Sequence, residues 1–134
     1  MKPIGIYGNL EKPRVARVAR DLVKLLRRLR QPILLEEQLS GFLGHRDGLA
    51  ASELGRVCRM VIVLGGDGTV LRAARAIHPR PTPLLAVNLG KLGFLASVAP
   101  SEVRSVLPGI LKGRGQLTEH STLSVSVDGK SRRL

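Results

Sequence analysis

Apolar and polar positions along this chain fall into two alternating rhythms. Short apolar runs at Pro3–Tyr7, Ile33–Leu35, Met60–Leu64 and Pro83–Val87 contain no charged residue, and they read as buried strands of a parallel sheet. Between the first two, Val15, Val18, Ala19, Leu22, Leu25, Leu26 and Leu29 recur at helical spacing. Arg14, Arg17, Arg20, Lys24, Arg27 and Arg28 fall on the opposite, solvated face. Pro13 is expected to open this helix and Pro32 to end it. A second helix is predicted over Val70–Ile77, with Val70, Ala74 and Ile77 on one face and Arg72 and Arg75 on the other. A third is expected after a Ser101 cap, with Val103, Val106, Leu107, Ile110 and Leu111 apolar. Pro108 should kink or split it, and Gly113 and Gly115 should end it.

The connections are less regular. Glu36 and Glu37 are adjacent, but neighbours on an extended strand point to opposite faces, so one of them is expected to be solvated. Ser40–Gly48 holds three glycines and reads as a loop, with Leu49–Leu54 a single helical turn. His78–Pro83 is a proline-rich linker that stops the second helix. Near the end, Leu123, Val125 and Val127 alternate with Ser124 and Ser126 as a half-buried strand, and Asp128-Gly129 is a hairpin turn. Five residues follow that turn, too few for much of a returning strand. The pattern predicts an α/β fold, an open parallel Rossmann-like sheet flanked by helices, with the start of a β-strand region at the C-terminus. Residues 1–118 form the α/β unit, and 119–134 begin a truncated β domain.

Composition narrows the classes. A length of 134 residues suits one domain, and no apolar run reaches the 18 or so residues of a membrane helix. No signal segment opens the chain and Cys58 is the single cysteine, so a cytoplasmic location without disulfides is expected. Cys58 reads as a small core filler. The net charge of +12 favours polyanions such as nucleotides, polyphosphate or nucleic acid. An aromatic content of 2% leaves little to stack on bases, which argues against nucleic acid. His45, His78 and His120 are far apart and form no metal-ligand spacing.

Two glycine-rich turns carry the chemistry. Gly65-Gly66-Asp67-Gly68-Thr69 lies between a predicted strand and a predicted helix, the arrangement that presents backbone N–H groups to an anion. It is not a P-loop, because no G-x-x-x-x-G-K-[ST] occurs. Asp67 has two readings: it caps the helix, or its carboxylate handles a hydroxyl proton or acts through a cation such as Mg²⁺. A cap does not need the two preceding glycines, which favours chemistry. Asn88 follows the fourth strand and opens a second glycine loop, so both loops land at the carboxyl edge of the sheet, where ligands bind in open α/β folds. Asn9 follows the first strand at the same edge. Phe94 is either core filler or a ligand contact.

The segment from Val61 to Arg75 resembles the GGDGT motif of NAD kinases, shared with phosphofructokinases and with diacylglycerol and sphingosine kinases. Asn88-Leu89-Gly90-Lys91-Leu92-Gly93-Phe94-Leu95 resembles the N-x-G-x-L-G-F-L segment of NAD kinases and not the lipid or sugar kinases. The likeness runs from about Ile4 to Val127. It implies an NAD kinase, a transferase in which Asp67 acts on the 2′-hydroxyl of the adenosine ribose of NAD, with ATP or polyphosphate as donor. It implies nucleotide contacts from Gly66, Gly68 and Thr69, and Arg72 near the dinucleotide. Asn88, Gly90 and Phe94 would line the same pocket. A divalent cation would accompany ATP, no metal being held by the protein alone. The family tends to form homo-oligomers and continues into a β-sandwich with an Asn-Glu segment for the ribose; this chain alone is therefore expected to have little or no activity. Where the family often has an arginine before the last strand, this chain has Glu119-His120-Ser121. The alternatives are a lipid or sugar-phosphate kinase, a basic domain that binds polyanions without catalysis, or a folded, inactive fragment that keeps weak nucleotide affinity.

Overall fold

The four apolar runs become four parallel strands in the order β2-β1-β3-β4 in the computed structural model, which describes every residue except Leu92, Ser97, Asp128 and Leu134. β1 is Ile4–Gly8, β2 Ile33–Leu35, β3 Met60–Gly65 and β4 Leu84–Asn88. The helices are α1 Val15–Arg28, α2 Glu37–Phe42, α3 Ala51–Val57, α4 Asp67–Ile77 and α5 Val103–Leu111. A two-stranded antiparallel sheet, β5 Ser124–Val127 and β6 Lys130–Arg133, follows.

Every position of β3 is buried, and its side chains alternate between two cores. Met60, Ile62 and Leu64 join Ile4, Ile6, Val87 and the apolar stripes of α1 and α5 on one face. Val61 and Val63 join Leu54, Cys58, Ala73 and Ile77, which come from α3, its C-cap and α4, on the other. Burial on both sides explains why β3 carries no polar interruption.

Several connections differ from the expectations. α2 occupies part of the Ser40–Gly48 segment read as a loop. Glu36 is buried, and its carboxylate accepts from the Gln38 and Leu39 amides at 3.1 and 3.0 Å, capping a short helix whose Leu39 enters the core. Glu37 is solvated. α1 ends before Pro32: Arg30 turns left-handed with φ 55°, and the Gln31 amide bonds back to Leu26 at 2.9 Å. The one helical turn expected at Leu49–Leu54 is instead α3, two residues later at its start. Ser101 does not cap α5. It lies in a 3₁₀ turn, Pro100–Glu102, and the Glu102 carboxylate accepts from the Ala99 amide at 2.8 Å. Pro108 sits inside an unbroken α5, where it removes one N–H without splitting the helix. Gly113 at φ +79° closes α5, with the Arg114 amide bonded to Gly109 at 3.0 Å, as the end of a helix needs. The chain does return after the hairpin turn, through four residues of β6; Asp128 itself lies outside the described residues. β5 is exposed rather than half-buried, with Leu123 before it and Val125 and Val127 within it open to solvent.

Cys58 is the core filler expected, and burial pushes its thiol up to about 11. The folded state therefore keeps the thiol proton longer than the unfolded chain does. The stability this represents, about 3 kcal/mol, is full below the unfolded thiol pKa of about 8.5 and is lost as pH rises toward the folded value. Urea unfolding of the native chain should weaken between about pH 8 and about pH 10.5 more steeply than that of Cys58→Ala. Equal slopes in the two proteins would show that the thiol is not desolvated.

Candidate functional site

The sheet's strand order reverses between β1 and β3. The chain leaves β1 for α1 on one face and leaves β3 for α4 on the other, so the two connections diverge and open a crevice at the carboxyl ends. The loops after β1, β3 and β4 border it. They are tied together by backbone bonds: the Asn9 amide to Leu64 at 2.9 Å and the Leu89 amide to Gly65 at 3.0 Å.

The turn after β3 is tight because Thr69 folds back onto Gly65. A side chain at Gly65 would collide with Thr69, which is buried. Gly66 and Gly68 are different. A Cβ at either would meet nothing within 4 Å, and neither has a left-handed φ. Neither packing nor backbone conformation requires these two glycines, so open space before them is what they preserve. The first amides of α4, at Asp67 to Thr69, have no carbonyl one turn back to bond.

Asp67 does not cap its own helix; Gly66 is the N-cap residue. The Asp67 carboxylate reaches instead to the second loop. Its Oδ2 accepts from the Phe94 amide at 2.8 Å, and its Oδ1 accepts from the Leu95 and Ala96 amides at 3.0 and 3.1 Å. Gly93 packs so closely on this carboxylate that a Cβ there would overlap it. The three amide hydrogens favour the charged form and hold Asp67 below the ordinary aspartate range.

Asn88 ends β4 and shapes the second loop with both ends of its side chain. Its Oδ1 accepts from the Gly90 amide and its Nδ2 donates to the Lys91 carbonyl, each at 2.9 Å. Asn9 shapes the loop after β1 with one end of its side chain, its Oδ1 accepting from the Glu11 amide at 3.1 Å. Phe94 is fully exposed, at 101%, so the core reading of this residue is corrected: its amide is held by Asp67 while its ring stands in solvent. Arg72 is exposed on α4. The sequence reading thus has Gly66, Asp67, Gly68, Asn88, Gly90, Phe94 and Asn9 bordering one edge, with Thr69 turned inward. It missed the amides of Leu95 and Ala96, which backbone-blind motif reading does not expose. It also missed Lys12, whose only signal was its position in the loop after β1.

Among the described residues, no three His, Cys, Asp or Glu side chains cluster to hold a metal ion. No helix among them is long and apolar enough to cross a membrane. A cavity of about 380 Å³ opens between α1 and α5, rimmed by Arg14, Arg17, Asp21 and Arg104 over Leu64 and Val87. None of the candidate site residues lines it.

Residues 4–115 match the family described as the ATP-NAD kinase N-terminal domain. The chain is 41% identical over 128 residues to an NAD kinase of Geobacter sulfurreducens, covering 96% of this chain and 45% of that one. It is 36% identical to an NAD kinase of Moorella thermoacetica over its whole length, covering 43% of that protein. The chain thus spans a little under half the length of these curated relatives. A crystal structure of yeast NADH kinase complexed with NADH superposes with a TM-score of 0.81 at 17% identity, over 99% of this chain and 46% of that one, which shows a shared fold. Because that family match runs over most of this chain, the chain belongs to the ATP-NAD kinase N-terminal domain family.

Proposed function

We propose that this chain forms the nucleotide-binding half of an NAD kinase, which transfers a phosphoryl group from ATP or polyphosphate to the 2′-hydroxyl of the adenosine ribose of NAD. The observation that carries the reading is the Asp67 carboxylate. A carboxylate has about four acceptor positions, and three amides take two on Oδ1 and one on Oδ2. One position on Oδ2 is left, and it suits a single hydroxyl hydrogen. Asp67 then fixes the ribose oxygen for in-line attack on the terminal phosphorus. As the new P–O bond forms, the bond to the leaving phosphate breaks, and the hydroxyl proton passes to Oδ2. Because its pKa is depressed, Asp67 is a weak base and takes that proton late.

The open ground before Gly66 and Gly68 admits phosphate oxygens to the first amides of α4. Asn9, Asn88 and Gly90 border the nucleotide, Phe94 offers a free ring face, and Arg72 lies toward the dinucleotide. Thr69 supports the turn from within. The Asp67 oxygens are largely taken by amides, and among the described residues no three His, Cys, Asp or Glu side chains cluster, so the residues present do not make a metal site of their own. The divalent cation arrives as part of the nucleotide, its ligands being phosphate oxygens and water. In the complete protein, residues 119–134 lead into a β domain that closes the pocket, and the assembly is a cytoplasmic homo-oligomer.

The test is NADP formation from NAD and Mg-ATP or polyphosphate, by this chain alone and joined to the remaining half of the Geobacter relative. We expect NADP from the joined protein and little from the chain alone. Phosphorylation of a lipid or sugar phosphate in place of NAD would overturn the acceptor assignment.

A further inference from the structure

Lys12 occupies a position that the order of the strands makes informative. It belongs to the loop after β1, held by its amide to the Asn9 carbonyl and by its carbonyl to the Val15 amide, both at 3.1 Å. Its side chain ends at Gly90, in the loop after β4: a Cβ on Gly90 would stand 3.1 Å from the Lys12 Nζ and 3.8 Å from its Cε. β1 and β4 are not neighbours, because β3 lies between them. The Lys12 side chain therefore links the loops that flank the end of β3, where the Gly65–Gly68 turn begins.

Lys12 is a partly buried residue, and its ammonium stands beside Gly90 at the crevice mouth. Among the described residues the one salt bridge is Arg56 with Glu53, so no carboxylate neutralises Lys12. Asp67, the acid of this edge, is directed to the Phe94, Leu95 and Ala96 amides. An ammonium offers three donors and a compact positive charge, at the same sheet edge as an anion lying before Gly66 and Gly68.

We propose that Lys12 binds the phosphoanhydride oxygens of the phosphoryl donor, a nucleoside triphosphate or inorganic polyphosphate. There it offsets the charge that gathers on the bridging oxygen as the terminal group leaves. The inference rests on the kinase reading of the site and assigns a cation of the loop after β1 to the donor. Lys12 crosses from one side of the crevice to the other, so it also closes the donor against the turn after β3.

Titration calorimetry of this chain with Mg-ATP, tripolyphosphate and NAD tests it. Lys12→Gln should weaken ATP and tripolyphosphate together, by about tenfold to a hundredfold as for one charge-assisted contact, and leave NAD within about twofold. Lys12→Arg should restore most of the loss, and Lys2→Gln, ahead of β1 at the opposite end of the strand, should change neither. Equal ATP affinity in Lys12→Gln and the native chain overturns the assignment, as does a loss confined to NAD or a loss matched by Lys2→Gln. A native chain that binds neither ATP nor tripolyphosphate overturns it as well. Lys12-dependent ATP binding without any NAD binding upholds it while sinking the NAD kinase reading.

Discussion

Asp67→Asn should reduce NADP formation by about a hundredfold to ten-thousandfold in any active form of the protein, the range for losing a positioned proton acceptor. The isosteric amide keeps one oxygen and replaces the other with an NH₂ group. If the oxygen stays with Leu95 and Ala96, the NH₂ faces the Phe94 amide, donor against donor. The ribose hydroxyl then meets a donor where it needs an acceptor. The pH dependence sharpens the test. The pKa of Asp67 is lowered by the three amides, so the order it gives the Phe94–Ala96 loop is present above the ordinary aspartate value of about 3.9 and is lost as pH falls through the lower folded value. Amide resonances of Phe94, Leu95 and Ala96 should therefore stay constant down to about pH 4 and shift below it. An acid limb of activity between about pH 5 and about pH 7 would belong to another group. A variant with full activity would remove Asp67 from the chemistry.

The sheet was legible because its central strand β3 is buried on both faces. Uninterrupted apolar runs such as Met60–Leu64 have few other homes, and α1 announces itself by seven apolar residues at helical spacing opposite a row of basic ones. The short connections were not legible for a local reason. α2 exists because one buried carboxylate, Glu36, satisfies two amides, and three glycines nearby masked that single cap. Pro108 does not split α5, because a helix already held by Val103 and Leu107 in the core tolerates one missing N–H. At the site, the motif residues were found as residues, but the bond that unites them was not. Asp67 meets the second loop through backbone amides some 27 to 29 residues away, and amides carry no sequence label. Lys12 escaped for a related cause: its role depends on β1 and β4 flanking β3, a fact of strand order.

Gly93→Ala should lower activity by about a hundredfold while leaving the fold intact, because a shift of about 1 Å in a positioning group is enough for that loss. The added methyl would overlap the Asp67 carboxylate, so either the carboxylate rotates away or the loop lifts. Both outcomes break the bonds from Phe94, Leu95 and Ala96. The core is untouched, since Gly93 packs on Asp67 at an exposed edge and not within either apolar cluster. The variant should therefore unfold at nearly the native urea midpoint, and the Phe94–Ala96 amides should exchange with solvent faster. Gly66→Ala separates the two kinds of glycine at this site. Its methyl meets nothing in the free protein, so those same amides should keep their native exchange while phosphate binding weakens. Native activity in Gly93→Ala would mean that the Asp67 carboxylate can leave the second loop without consequence, and the joined loops would then be a structural tie alone.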